Sequence, residues 1–188
     1  MDVPRILTIL ETALHSNASE WMFLRELRAG TGRGKHSLQR LDAFALNCYP
    51  HRGMKRICYE IKMSRADFRN ELKNPLKRRI GMRFSNEFYF VTPAGLLKPE
   101  EIPADSGLIE VGASADPEDW KKTLKKQAGF FHFNAETRDY CVLTVPAPWR
   151  ETPGPTWELL ASMMRNQRRE LEESPPPVPA QQKIAFEG

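Results

Sequence analysis

The sequence predicts an α/β fold of the mixed (α+β) kind, in which a central mixed sheet is flanked by helices. Two observations lead to this prediction. Apolar residues recur at helical spacing near both ends of the chain, and several short apolar runs bounded by turn residues lie between them. A chain of 188 residues is long enough for one domain with its own core. We therefore expect a single domain over residues 1–173 and a disordered, proline-rich tail over residues 174–188.

The first elements follow from the spacing of apolar residues. Residues 6–14 repeat apolar side chains at helical spacing and predict an amphipathic helix. Residues 21–27 form a short apolar run that predicts a strand, with a short helix as the alternative. Residues 41–46 and 55–62 predict two further strands joined by a turn, so we expect them to be antiparallel neighbours.

A helix start follows directly after the third predicted strand. Ser64 and Asp67 have the spacing of a capping box, in which Ser64 caps the helix and Asp67 reaches back. This helix should run to about Lys73 and end before Pro75. Beyond it, the pattern predicts strands over residues 87–91, 107–111 and 140–145, and helices over residues 120–127 and 157–171.

The net charge of +4 conceals a strong asymmetry along the chain. From Arg25 to Arg83 there are 16 basic and 5 acidic residues, a local net charge of +11. A solvated basic face is one interpretation of such a segment. A concentrated positive field also suits a polyanion, above all the backbone of a nucleic acid.

Two acidic residues and a lysine stand out within this basic segment. Glu60 and Lys62 are two residues apart at the end of a predicted strand, so their side chains point to the same side. Asp42 lies on the strand expected to pair with it. Two carboxylates and a lysine can hold a hard divalent cation and position a water for attack on a phosphodiester. The alternative is an ion-paired cluster that only terminates the two strands.

The order of these residues carries a family resemblance. Asp42 on one strand, Glu60-Ile61-Lys62 closing the next, and a capped helix directly after them resemble the PD-(D/E)XK nuclease superfamily. The chain is most similar to its VSR-like branch, which includes MmcB-type DNA-repair proteins and related phage proteins. The resemblance to phage proteins is consistent with a phage or prophage origin. The resemblance covers residues 21–111 and implies a restriction endonuclease-like core.

One position departs from the superfamily pattern, and one further acidic residue matches the branch. Leu41 stands where the proline of the name would be, as in many active members. Glu26 takes the place of the acidic residue on an earlier strand, and Arg40-Leu41-Asp42 that of an Arg-x-Asp element.

The resemblance implies a role for each site residue. Asp42 would be the central metal ligand, Glu60 the second, and the backbone carbonyl of Ile61 the third. Mg²⁺ is the expected ion, with Mn²⁺ able to replace it. Lys62 would orient or help deprotonate the attacking water and stabilise charge on the phosphate. Glu26 would complete the carboxylate set or bind a second metal.

The expected function is a Mg²⁺-dependent endodeoxyribonuclease acting in DNA repair, recombination or phage DNA processing. The alternative is a catalytically silent nucleic-acid-binding protein on a nuclease scaffold. Residues expected to contact DNA are Arg33, Lys35, His36, Gln39, Arg40, Lys73, Lys77, Arg79 and Arg83. For any single one of these, a solvated surface position is the simpler interpretation.

Compartment and assembly follow from weaker features. The N-terminus lacks the pattern of a secretory signal, and no apolar run is long enough to span a membrane. The three scattered cysteines favour reduced thiols in a cytoplasmic protein and offer no zinc spacing. Cutting both strands of a duplex with one small site would require two copies or two events, so a homodimer is one expected arrangement.

Overall fold

A computed structural model describes residues 1–28, 30, 39–74, 76–113 and 130–173, without the side chains of residues 76, 77, 170, 171 and 173. The described residues form a seven-stranded mixed sheet with helices on both faces, which confirms the predicted mixed α/β fold. The helix predicted over residues 120–127 and the disordered tail predicted over residues 174–188 lie outside the described ranges.

The sheet combines parallel and antiparallel pairs. Its strands are β1 (Trp21–Arg28), β2 (Arg40–Asn47), β3 (Arg56–Ile61), β4 (Glu87–Pro93), β5 (Gly107–Ala113), β6 (Phe131–Phe133) and β7 (Asp139–Val145). Their spatial order is β1-β2-β3-β4-β5-β7-β6. Strands β3, β4 and β5 run parallel to one another, and the remaining neighbours are antiparallel. The structure therefore confirms the strand predicted over residues 21–27 and the antiparallel pairing of the next two.

Helices cover the two faces unequally. The α-helices of the described part of the chain are α1 (Val3–Leu14), α2 (Arg65–Lys73), α3 (Leu76–Phe84) and α4 (Trp157–Glu173). Helix α1 packs on one face, where Ile6 and Leu10 are fully buried against Tyr59 and Val91. The other three helices pack on the opposite face, where Phe68, Phe84 and Leu159 bury Phe88, Phe90 and Leu108. Each such buried side chain contributes about 1.5–3 kcal/mol to folding.

Helix α3 and strand β6 are elements that the sequence pattern did not predict. The basic residues of α3 are good helix formers, but the glycine in its interior costs about 1 kcal/mol relative to alanine and weakens a helix prediction. The structure explains Gly81, because a Cβ there would lie 2.8 Å from the Sγ of Cys58 and 3.1 Å from the Phe88 ring. The glycine lets α3 approach β3 and β4 closely. Strand β6 has only three residues, too few to show an alternation.

The start of α2 keeps half of the predicted capping box. The Oγ of Ser64 accepts the backbone N–H of Asp67 at 3.1 Å, as predicted. The reach-back of Asp67 does not form among the described residues, and its carboxylate lies 3.8 Å from the Nζ of Lys62 instead. A nearby buried ammonium attracts this carboxylate more strongly than a neutral backbone N–H.

Three further features complete the fold. Cys48, Cys58 and Cys141 are all free, as expected. No helix among the described residues is both long enough and apolar enough to cross a membrane. Phe88 and Phe90 are buried in the core as predicted, and Tyr89 between them is buried on the other face.

Candidate active site

The pairing of β2 with β3 brings the two predicted carboxylates together. Ala43 lies opposite Tyr59 in this antiparallel pair, so the next position along places Asp42 opposite Glu60. Directly opposed residues on neighbouring strands have Cβ atoms about 4.5–5.5 Å apart. The Oδ2 of Asp42 accepts the backbone N–H of Ile61 at 2.8 Å, which fixes the carboxylate against β3.

Lys62 lies beside Glu60 in a buried ion cluster. Its Nζ is 2.9 Å from the Oε1 of Glu60 and 3.4 Å from the Oε2 of Glu71. Its backbone N–H donates to the carbonyl of Val91 at 2.9 Å, so Lys62 continues the parallel pairing of β3 with β4. The exposed fractions of Lys62 and Glu71 are each only 4%. The ammonium is therefore held in one place rather than free in solvent.

Glu71 is a site residue that sequence reasoning missed. It lies on α2 with Phe68 one turn before it, and both side chains are buried. An acidic residue on the buried stripe of an amphipathic helix is unusual and indicates a charged partner inside the protein. This position in the stripe is the signal that could have identified it.

The two opposed carboxylates have raised pKa values. Burial raises the pKa of Glu60 to about 7, and the charge of Asp42 adds to this, while Lys62 acts to lower it. Burial also raises the pKa of Asp42, against the opposing effects of the Ile61 N–H, Lys62 and Arg40. Burial by itself would lower the pKa of Lys62, but the carboxylates around it raise the value. The site thus concentrates negative charge that one lysine only partly offsets.

The oxygen donors fit a hard divalent cation. The Asp42 Oδ2 accepts from Ile61 and the Glu60 Oε1 accepts from Lys62, so among the described residues the second oxygen of each carboxylate has no hydrogen-bond donor. The side chain of Ile61 is buried in the core against α1, on the opposite face of the sheet from Glu60. In the described ranges no group of three or more His, Cys, Asp or Glu side chains is arranged to hold a metal. Two carboxylates suffice for Mg²⁺, which keeps several of its waters.

Glu26 lies on β1 in an unusual backbone conformation. The pairs on either side place it opposite Asp42, but its φ is +52° and no ladder pair forms there. A non-glycine residue with this φ stores strain and is often found at functional sites. Its carboxylate lies 3.2 Å from the guanidinium of Arg40, whose charge also lowers the pKa of Asp42. Arg40 therefore lies in the electrostatic field of both carboxylates.

The predicted DNA contacts are dispersed around this site. Gln39 and Arg40 lie at the start of β2, next to Asp42. Lys73, Arg79 and Arg83 are exposed on α2 and α3. Arg33, Lys35 and His36 lie outside the described residues, as does the side chain of Lys77. Of the predicted DNA contacts that the structure describes, Arg40 is the residue that pairs with Glu26 and whose charge acts on Asp42.

Comparison with known proteins gives one match, to a solved structure. No family model and no curated protein matches the chain. A protein of unknown function from Silicibacter pomeroyi is similar in structure, with a TM-score of 0.51 and 17% sequence identity. The match covers 92% of this chain and 88% of that one. At this identity the likeness concerns the fold alone.

Proposed function

We propose that this protein is a Mg²⁺-dependent endodeoxyribonuclease of the PD-(D/E)XK superfamily. The observation that carries the proposal is the convergence of Asp42, Glu60 and Lys62 on one face of two paired strands. Opposed, partly buried carboxylates with raised pKa values have little structural benefit, and a bound cation would offset their repulsion. The basic segment from Arg25 to Arg83 supplies the field for a polyanionic substrate.

Each residue has a defined task in this mechanism. Asp42, held by the Ile61 N–H, and Glu60, held by Lys62, would bind the ion together with the Ile61 carbonyl. A bound Mg²⁺ ion supplies Lewis acidity toward the phosphate and lowers the pKa of a coordinated water. The Lys62 ammonium would orient the attacking water and stabilise negative charge on the phosphate.

The proposed setting is cytoplasmic DNA repair, recombination or phage DNA processing, with DNA as the partner. Mn²⁺ would substitute for Mg²⁺ because both accept carboxylate and carbonyl oxygens. A homodimer would let two sites act on the two strands of a duplex.

A second candidate is a nucleic-acid-binding protein that keeps the scaffold without catalysis. It is favoured by the contacts of Lys62, whose ammonium is within 4.0 Å of three carboxylates: Glu60, Asp67 and Glu71. An ammonium neutralised in this way can stabilise the fold without taking part in catalysis.

The test is incubation of purified protein with plasmid, linear and branched DNA in Mg²⁺, Mn²⁺ or EDTA. We expect cleavage in either metal and none in EDTA, with loss of at least 100-fold in the variants Asp42→Asn and Lys62→Met. Glu136→Gln, in an exposed loop far along the chain, is the matched control and should cut like the wild type. Cleavage that persists in EDTA or in Asp42→Asn would sink the metal-nuclease proposal. Binding of DNA without cleavage of any substrate would favour the second candidate.

A further inference from the structure

Helix α4 and strand β1 line a small open cavity near the candidate active site. Its volume is about 180 Å³, and it is lined by Glu26, Arg28, Ser162, Arg165, Asn166 and Arg169. Three of the six lining side chains are arginines. The cavity lies on the same side of the sheet as α2 and α3, since Leu159 and Met163 of α4 pack in that layer.

Two buried side chains fix α4 to β1 at this place. The Oγ of Ser162 donates to the carbonyl of Arg28 at 2.7 Å, and the Nδ2 of Asn166 donates to the carbonyl of Arg25 at 2.8 Å. These carbonyls flank the irregular position Glu26, where the ladder to β2 is interrupted. The helix thus bonds to backbone groups around the irregularity, as buried carbonyls require. The arginines beside these two residues are carried on a fixed helix.

The cavity carries an excess of positive charge. Its one carboxylate, Glu26, lies 3.2 Å from the guanidinium of Arg40. Within the described residues no carboxylate is in ion-pair distance of Arg28 or Arg165. An arginine guanidinium offers several N–H donors in a plane, which match the oxygens of a phosphate.

Glu26 and Arg40 link the cavity to the candidate active site. Glu26 is opposite Asp42 on the neighbouring strand, and strands lie about 4.8 Å apart. Arg40 bridges the two places, since it pairs with Glu26 and its charge acts on Asp42. A strand cut at Asp42 and Glu60 would therefore extend directly past β1 toward α4.

We propose that the cavity between α4 and β1 binds the phosphate backbone of a nucleic acid and guides it to the candidate active site. This inference rests on the proposed nuclease function. Arg28 on β1 and Arg165 on α4 both line the cavity, and no carboxylate among the described residues is in ion-pair distance of either. Each guanidinium can therefore donate to phosphate oxygens of the backbone. Contacts of this kind position the substrate without reading its sequence.

Helix α4 also supplies a matched control. Arg168 has the same charge on the same helix, but it does not line the cavity, and its Nε lies 2.7 Å from the Oε1 of Glu172. The variants Arg165→Gln and Arg168→Gln therefore remove one equal charge each, and only the first removes it from the cavity. Both side chains are exposed, so neither change should affect folding, which thermal melts would verify.

The experiment measures binding of a fluorescein-labelled 30-base-pair DNA duplex by anisotropy, in EDTA and at several salt concentrations. We expect Arg165→Gln and Arg28→Gln to weaken binding roughly 3- to 10-fold and to lower the slope of log K against log salt by about 0.9. Arg168→Gln should change affinity less than about twofold, because it lies outside the cavity. The losses should be the same for duplexes of different sequence.

Equal losses in Arg165→Gln and Arg168→Gln, or no binding by the wild type, would overturn the inference. Binding in EDTA does not depend on catalysis, so the two proposals can fail separately. If the wild type never cuts DNA but Arg165→Gln and Arg28→Gln weaken binding, the cavity assignment holds and the nuclease proposal fails. If cutting is metal-dependent but Arg165→Gln and Arg28→Gln bind DNA like the wild type, the nuclease proposal holds and the cavity assignment fails.

Discussion

At the scale of single residues, Lys62 is the group that holds the candidate site together. Its buried ammonium contacts carboxylates from β3 and α2, so one side chain joins a strand to the helix that follows it. Buried ions of this kind contribute little to stability as a set, but removal of one partner leaves uncompensated charge. The residue is therefore informative in stability measurements as well as in catalysis.

Lys62→Met should destabilise the protein by roughly 3 kcal/mol at pH 8. At pH 6 the loss should be smaller, because Glu60 without its ammonium takes up a proton and its buried charge disappears. Urea denaturation at the two pH values measures the difference. Lys73→Met on the exposed side of α2 is the control, with an effect within about 0.5 kcal/mol. A Lys62→Met loss that is the same at both pH values would contradict this account of Glu60.

Glu60 should also make stability depend on pH in the absence of divalent metal. The pKa of Glu60 is about 7 in the folded protein and has a reference value of 4.5. Between these values the folded state holds a proton that the unfolded state has lost, so the Glu60 contribution falls as pH rises from about 4.5 to about 7. The whole effect is on the order of 3 kcal/mol.

The comparison that isolates this effect is the wild type against Glu60→Gln in EDTA. It is needed because burial lowers the pKa of His15 to about 3, and this group acts in the opposite direction over part of the same range. We expect the stability of the wild type relative to Glu60→Gln to decline between pH 5 and pH 8 in urea titrations. A constant difference across this range would mean that Glu60 has an ordinary pKa.

At the scale of elements, the glycine in α3 sets the distance between helix and sheet. Gly81→Ala should gain about 1 kcal/mol of helix propensity, but it places a Cβ 2.8 Å from the buried Sγ of Cys58. Overpacking of a core costs about 1–3 kcal/mol, so the net effect should be destabilising. In a Cys58→Ala background the sulfur is gone and the contact with the Phe88 ring remains, so the same Gly81→Ala change should cost less than it does in the wild type. Urea denaturation of the four variants tests this, and additive effects would refute the close contact.

The same helix shows why local pattern could not supply every element. A buried glycine is favourable in α3 only because β3 and β4 lie against it, and that contact is invisible along the chain. By contrast, α1 could be predicted because its apolar residues recur at helical spacing, and β2 and β3 because each is a short apolar run bounded by turn residues. Ser64 could be predicted as a cap because its partner is only three residues away.

At the scale of the whole molecule, contacts between residues close in the sequence could be predicted, whereas contacts between distant residues could not. The sequence alone could predict that Asp42 and Glu60 lie close together, because one turn joins their strands. The contact of Ser162 with Arg28 spans 134 positions, and no periodicity links α4 to β1 across that distance. The carboxylate pair was thus accessible from sequence, whereas the arginine-lined cavity beside it required the fold.

The carboxylate pair should also be visible in the unfolding of the entire domain. A cation that binds the folded state alone stabilises it by about 2.7 kcal/mol at 100 times its Kd. For a chain of this size that corresponds to a rise in Tm of roughly 5–10 °C. We expect Mn²⁺ to raise the Tm of the wild type and of Glu136→Gln by this amount at pH 8.

The rise should be smaller at pH 6, where protons compete for Glu60, and Asp42→Asn should abolish it. Asp42→Asn keeps an oxygen that can accept the Ile61 N–H but removes one of the two opposed charges. It should therefore melt at or above the temperature of the metal-free wild type, because a charge that serves to bind a cation destabilises the fold without one. If Asp42→Asn melts well below the wild type in EDTA, Asp42 serves the fold itself, and the case for a metal centre fails on stability grounds alone.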